Sequence, residues 1–151
     1  MPTGGLDEWD IARRGLRSIS PPEIKSFWDG YIALRRPVPI EHGSLYSRWR
    51  RVSDDLVISL YLTNRSVGLF VRGQRGERYR TTLNRLSGHE PQLGEALGAS
   101  LSGYVGCCYL TNLPLPVTDP GNWPQAYAWL EEQEELYHRV LSALGGSLAE
   151  S

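Results

Sequence analysis

Two short runs of alternating side chains constrain this sequence more than any other feature. From Leu56 to Thr63, residues Leu56, Ile58, Leu60 and Leu62 share one face, and Val57, Ser59, Tyr61 and Thr63 share the other. The alternation returns from Val67 to Arg72, where Val67, Leu69 and Val71 oppose Gly68, Phe70 and Arg72. A period of two is the signature of a β-strand with unlike faces. Only Asn64-Arg65-Ser66 lies between the runs. That is too short for a crossover, so the strands must be antiparallel. A weaker alternation over Leu45 to Val52 comes before them, joined by the turn Ser53-Asp54-Asp55. It sets Trp49 and Arg51 on one side, and Arg48 and Arg50 on the other. Three strands with two tight connections form a meander.

Helical spacing flanks this sheet. Ser20-Pro21-Pro22-Glu23 reads as a capping box, and Ile24, Phe27, Trp28, Tyr31 and Ile32 then form an apolar stripe that ends at Pro37. Glu41-His42-Gly43-Ser44 reads as loop, and Gly73 to Gly76 as a break. Residues 77 to 87 suit a helix with Tyr79, Leu83 and Leu86 inward and Arg78, Arg80 and Arg85 toward solvent. A second helical stretch covers Glu90 to Leu101, and a fourth strand Tyr104 to Thr111. The Pro-rich segment Leu113 to Val117 lacks ladder donors and belongs at an edge or a crossing. Asn122 can cap the longest helix, Trp123 to Leu144, which Gly145-Gly146 should stop. The expected fold is therefore α+β: an antiparallel sheet of four or five strands with the first and last helices packed on one face. The 151 residues suit one domain over 20–145, with an N-terminal arm over 1–19 and a frayed tail over 146–151.

Charge is unevenly distributed. Residues 1 to 10 hold three acids and no base. Residues 11 to 85 carry a local charge of +9, and residues 86 to 151 carry −7, for a net −1. Either the acidic last third neutralises the basic middle, or the arginines stay on one surface for an anionic partner. The run Glu131, Glu132, Glu134 and Glu135 reads as a solvated helix face. The basic residues are fifteen Arg and one Lys, a bias typical of GC-rich coding that points to a bacterial source. The adjacent Cys107 and Cys108 lack both disulfide and zinc spacing and read as small buried side chains, as reduced thiols in the cytoplasm would. No run is long and apolar enough for a membrane span, and the N-terminus lacks a basic-then-apolar signal.

The order of elements resembles a bacterial family catalogued as domain of unknown function 4268. The residues that carry the likeness are Phe27-Trp28, Trp49, Ile58 to Leu62 running into Val67 to Val71, and Asn122-Trp123-Pro124 with Trp129-Leu130. The resemblance spans about residues 23 to 144. It implies an accessory α+β module linked to DNA processing or defence, since such domains often follow an endonuclease-like region. It brings no catalytic motif.

The sequence holds no recognisable catalytic constellation. A metal-dependent nuclease needs an acid on one strand and an acid and a Lys flanking one residue on the next, but the one Lys is Lys25, inside the first helix. His42, His89 and His138 show no metal-ligand spacing, and no Gly-x-Ser-x-Gly elbow occurs. Gly73-Gln74-Arg75-Gly76 has the context of a phosphate loop without its Lys-Ser/Thr ending. The expectation is a non-catalytic accessory or interaction module with no cofactor and no metal. It would bind a protein partner or a second copy, with Trp9, Ile11 and Leu16 of the arm as candidate contacts. The alternative is a nucleic-acid-binding domain using Arg48, Arg50, Arg51, Arg72, Arg75 and Arg78, with Trp49 and Tyr46 near enough to stack bases. A small-molecule binder on the face of Val57, Ser59, Tyr61 and Phe70 would need a cavity there.

Overall fold

Ser20 opens the first helix, as its sequence signature predicts. Its hydroxyl accepts from the Glu23 amide (3.4 Å), and the Glu23 carboxylate accepts from the Ser20 amide (3.1 Å). The computed structural model describes residues 18–104 and 106–150, leaving aside the side chains of 145–150. The arm residues Trp9, Ile11 and Leu16 lie outside the described residues. Helix α1 (Pro21–Arg35) buries Ile24, Phe27, Trp28 and Tyr31 completely. Just before it, the Ile19 amide donates to Asn64 (2.9 Å), fixing the entry of the chain against the turn of the central hairpin.

Five antiparallel strands follow in chain order: β1 (Glu41–Ser44), β2 (Ser47–Ser53), β3 (Leu56–Leu62), β4 (Val67–Arg72) and β5 (Cys108–Leu113). The pairing gives the sheet two different faces. Arg48, Leu60 and Leu69 align across β2, β3 and β4, as do Arg50, Ile58 and Val71. Leu60, Leu69, Ile58 and Val71 belong to the core beneath the helices. The intervening rows, Trp49–Ser59–Phe70 and Arg51–Val57–Arg72, point the other way.

Helix α2 (Tyr79–Ser87) and helix α3 (Gln92–Leu97) connect β4 to β5. Helix α4 (Trp123–Glu150) closes the fold after a short 3-10 turn, Pro120–Asn122, in which Asp119 caps the Gly121 amide (2.9 Å). Ala126, Leu130, Tyr137 and Leu141 of α4 are fully buried. Phe27 of α1 meets Trp123 edge-on at 5.4 Å and Tyr127 at 4.9 Å, and the Tyr127 hydroxyl donates to the Phe27 carbonyl (2.7 Å). The two helices are thus joined by aromatic packing and a partly buried hydrogen bond.

Several boundaries differ from the sequence reading, each for a local reason. Glu41–Ser44 is a strand rather than a loop, because Gly43 leaves room for the Trp49 indole: a Cβ there would sit 2.6 Å from its Nε1. The helix expected over Glu90 to Leu101 shrinks to Gln92–Leu97, since Gly98 turns left-handed (φ 69°) and its amide bonds back to Gly94. The last strand begins at Cys108 rather than Tyr104, and a bulge interrupts its pairing between Val71–Cys108 and Leu69–Thr111. Within that bulge Tyr109 has φ 53°, a region that non-glycine residues enter at a cost of about 1–3 kcal/mol. Three hydrogen bonds hold it there: its hydroxyl donates to Glu90 (2.6 Å), its amide to Ser100 (3.2 Å), and its carbonyl accepts from Tyr137 (2.7 Å). Helix α4 runs through Gly145-Gly146 to Glu150, because glycine costs helix stability without forbidding the conformation.

The capping box gives a direct test. Ser20→Ala should cost about 1 kcal/mol, which lowers the thermal midpoint by roughly 2–4 °C in a domain of this size, as calorimetry would show.

Candidate functional site

The acidic run of α4 is not simply a solvated face. Glu134 falls on the inward stripe between Leu130 and Tyr137 and is fully buried. Its two oxygens take hydrogen bonds from Tyr31 (2.5 Å), from Arg35 Nε and Nη2 (3.1 Å each), and from Arg50 Nη1 (2.5 Å). At the rim Arg35 also binds Glu131 (2.9 Å) and Glu135. Burial, and then the neighbouring Glu134 charge, push the Tyr31 hydroxyl far above its ordinary range, so it stays a donor. Burial opposes the Arg35 charge, but the Glu134 and Glu135 contacts outweigh it and raise that guanidinium above its usual value. Burial also works against the Glu135 charge, yet Arg35 and Arg50 hold its carboxyl below the usual range.

This network and the sheet register divide the six candidate arginines. Arg50 is buried with its charge given to Glu134. Arg48 is also buried on the helix side, where it donates to the Ser44 and Ser47 carbonyls (2.7 Å each) and lies over Trp28. Neither can meet an outside partner in this fold. Arg51 is on the other face but forms an ion pair with Glu41 (3.1 Å). Arg72, Arg75 and Arg78 remain, at the end of β4 and in the loop beyond it. Arg85, expected toward solvent, instead binds Glu77 (2.7 Å) and approaches Asp55 (3.7 Å). The hydrogen bond from Arg85 is the main reason the Glu77 carboxyl sits below its ordinary range, and Thr82 adds a second bond (2.5 Å).

Trp49 organises the outer face. The guanidinium carbons of Arg72 and Arg75 lie 4.5 and 4.4 Å from its ring centroid. Cation–π contacts hold both side chains in place, and Trp49 is left only 3% exposed. Arg72 Nε donates to the Gly73 carbonyl (3.1 Å), while the exposed Arg75 reaches the His42 and Gly43 carbonyls only at 3.4 Å. Burial first, and then Arg75, lower the Arg72 guanidinium below its ordinary value. The loop Gly73 to Gly76 thus delivers an arginine onto an indole, a role that its phosphate-loop context did not suggest.

Beside this pair an open groove of about 500 Å³ crosses the sheet, lined by Tyr61, Ser66, Phe70, Tyr104, Leu110 and Asn112 among others. Tyr61 and Phe70 stand 6.1 Å apart between ring centres, and Tyr104 is 61% exposed. A smaller hollow of about 250 Å³ shares Phe70 and continues past Arg72 to Glu77. Val57 and Ser59 are buried and contribute little to this surface. The groove was hard to foresee, because Tyr104 reaches it from an irregular segment. Gly68, opposite Tyr61 across the hairpin, is the signal the sequence offers: it leaves room for the Tyr61 ring, whose Cζ a Cβ would approach to 2.5 Å.

The other groups show no converging chemistry. Burial raises both thiols, Cys108 to about 11, so each is protonated at neutral pH. His138 is lowered by burial and by Arg50. Among the described residues no three His, Cys, Asp or Glu side chains converge as a metal site. No described helix is long and apolar enough to cross a membrane. No protein-family model matches the chain, and no curated protein or solved structure matches it either.

Two outcomes follow from the ion pairs. Glu134→Ala strands the Arg35 and Arg50 charges in the interior and should cost about 3–5 kcal/mol in denaturant unfolding. Glu77 has a folded-state pKa below its unfolded value of about 4.3, so its stabilisation is complete above that value and is lost as pH falls through the folded one. Glu77→Gln should therefore flatten the decline of stability below about pH 5.

Proposed function

We propose that this protein is a non-catalytic interaction module whose binding surface is the outer face of the sheet. One observation carries the reading: the helix-facing side of the sheet is consumed by a closed core, while the opposite side holds an open groove with an exposed aromatic rim. Apolar side chains left at a surface groove are characteristic of a site awaiting a partner. The described residues also lack an acid–base pair or an activated nucleophile at that groove. Its hydroxyls belong to Tyr61, Thr63, Ser66 and Tyr104, and its one thiol, Cys107, is protonated. An accessory role beside a nucleic-acid-processing region, as the family resemblance implies, is compatible with such a module.

A binding face differs from a structural one in what its substitution does. Tyr104→Ser should change unfolding free energy by no more than about 0.5 kcal/mol, because the ring is mostly in water. A loss of 2 kcal/mol or more in chemical denaturation would show that Tyr104 completes the fold, and the reading would fail.

A further inference from the structure

The chain treats its arginines in two ways. Arg35, Arg50, Arg51 and Arg85 each have a carboxylate partner. Arg72 and Arg75 instead each contact the Trp49 ring, with no ion pair to either among the described residues. Two like charges on one ring repel each other, and this is part of what lowers the Arg72 guanidinium. Contact with the indole restrains both guanidiniums, and among the described residues their N–H donors other than Arg72 Nε and Arg75 Nη2 have no hydrogen-bond partner. An arriving phosphate would remove the repulsion and take the donors. Arg78, exposed just beyond, adds a third positive charge without an ion pair among the described residues.

The adjoining groove supplies the complementary half. No carboxylate lines the 500 Å³ groove. Phe70 and Tyr61 form its floor and Tyr104 its rim; Phe70 lies two residues before Arg72 on β4, and Tyr61 is on the neighbouring strand β3. Asn112 lies exposed at the far end, its Nδ2 donating to the Tyr61 and Ser66 hydroxyls. A chain that alternates phosphates with planar rings matches this order of charge and aromatic surface. Its bases must be free to leave their own stack, which a single strand allows and a duplex resists.

We infer that the outer sheet face binds single-stranded nucleic acid, with phosphate on Arg72 and Arg75 and bases against Phe70 and Tyr104. This rests on the reading of that face as a binding surface. It leaves the helix-side arginines, Arg48 and Arg50, out of the contact.

Fluorescence anisotropy with labelled ten-nucleotide DNA and RNA single strands, at 50 and 200 mM salt, tests the assignment. Binding should weaken as salt rises. Arg75→Ala should reduce affinity at the lower salt, and Arg72→Gln/Arg75→Ala should reduce it at least tenfold. Tyr104→Ala should cost about fivefold or more, and with its ring exposed it is expected to keep the wild-type thermal midpoint. The duplex of the same sequence should bind more weakly than the single strand. Absence of binding at 50 mM salt overturns the inference, as does binding that ignores these substitutions. A dimer or a complex with an acidic polypeptide, lost in Tyr104→Ala while the oligonucleotides remain unbound, overturns it in favour of a protein occupant and leaves the interaction-module reading standing. Recovery of shortened oligonucleotide from the binding mixture, abolished by a single substitution in the groove, overturns the non-catalytic reading instead.

Discussion

A buried carboxylate ties two helices and the sheet of this protein together. Glu134 of α4 receives donors from Tyr31 and Arg35 of α1 and from Arg50 of β2. These positions lie 84 to 103 residues away from it in the chain. Apolar packing can slide by part of a turn with modest loss, but an interior charge with several directional partners cannot. Removing a member leaves an uncompensated charge in the interior, and the cost of that far exceeds the net value of the intact network. The network therefore fixes where α4 lies on the sheet more sharply than it adds to stability.

The same network explains how a chain of nearly zero net charge can carry a distinctly basic surface. The acidic last third is drawn inward against the helix-side arginines, and the two excesses cancel where they meet. Arginines on the other face have fewer acids within reach, because α4 passes over the opposite side of the sheet. Trp49 takes the place of a counter-charge for two of them. Charge and aromatic surface are thereby concentrated on the face away from α1 and α4.

What the sequence disclosed follows from how locally each feature is determined. The central hairpin was legible because side-chain alternation and a three-residue connection are set within twenty residues. The Ser20 capping box was legible for the same reason. Strand β1 was not, because Glu-His-Gly-Ser has no strand pattern of its own and is held by its pairing with β2 and the fit of Trp49 against Gly43. The start of β5 was misplaced because Tyr109 breaks the alternation with a left-handed residue that only distant partners make tolerable. The candidate arginines were chosen by type and proximity in sequence. Alternation correctly separated Arg48 and Arg50 from Arg51, but nothing local revealed that Arg50 meets a buried Glu more than eighty residues away, or that Arg48 lies over Trp28.

Strands β1 and β5 bound the sheet. Strand β1 has only four residues and an irregularity between His42 and Ser44, and β5 is interrupted at Tyr109 and Leu110. Neither offers the long, regular row of free amides and carbonyls along which sheets of separate molecules zip together. Lateral growth into filaments is discouraged at both margins, so the exposed aromatics can remain in water without seeding fibres.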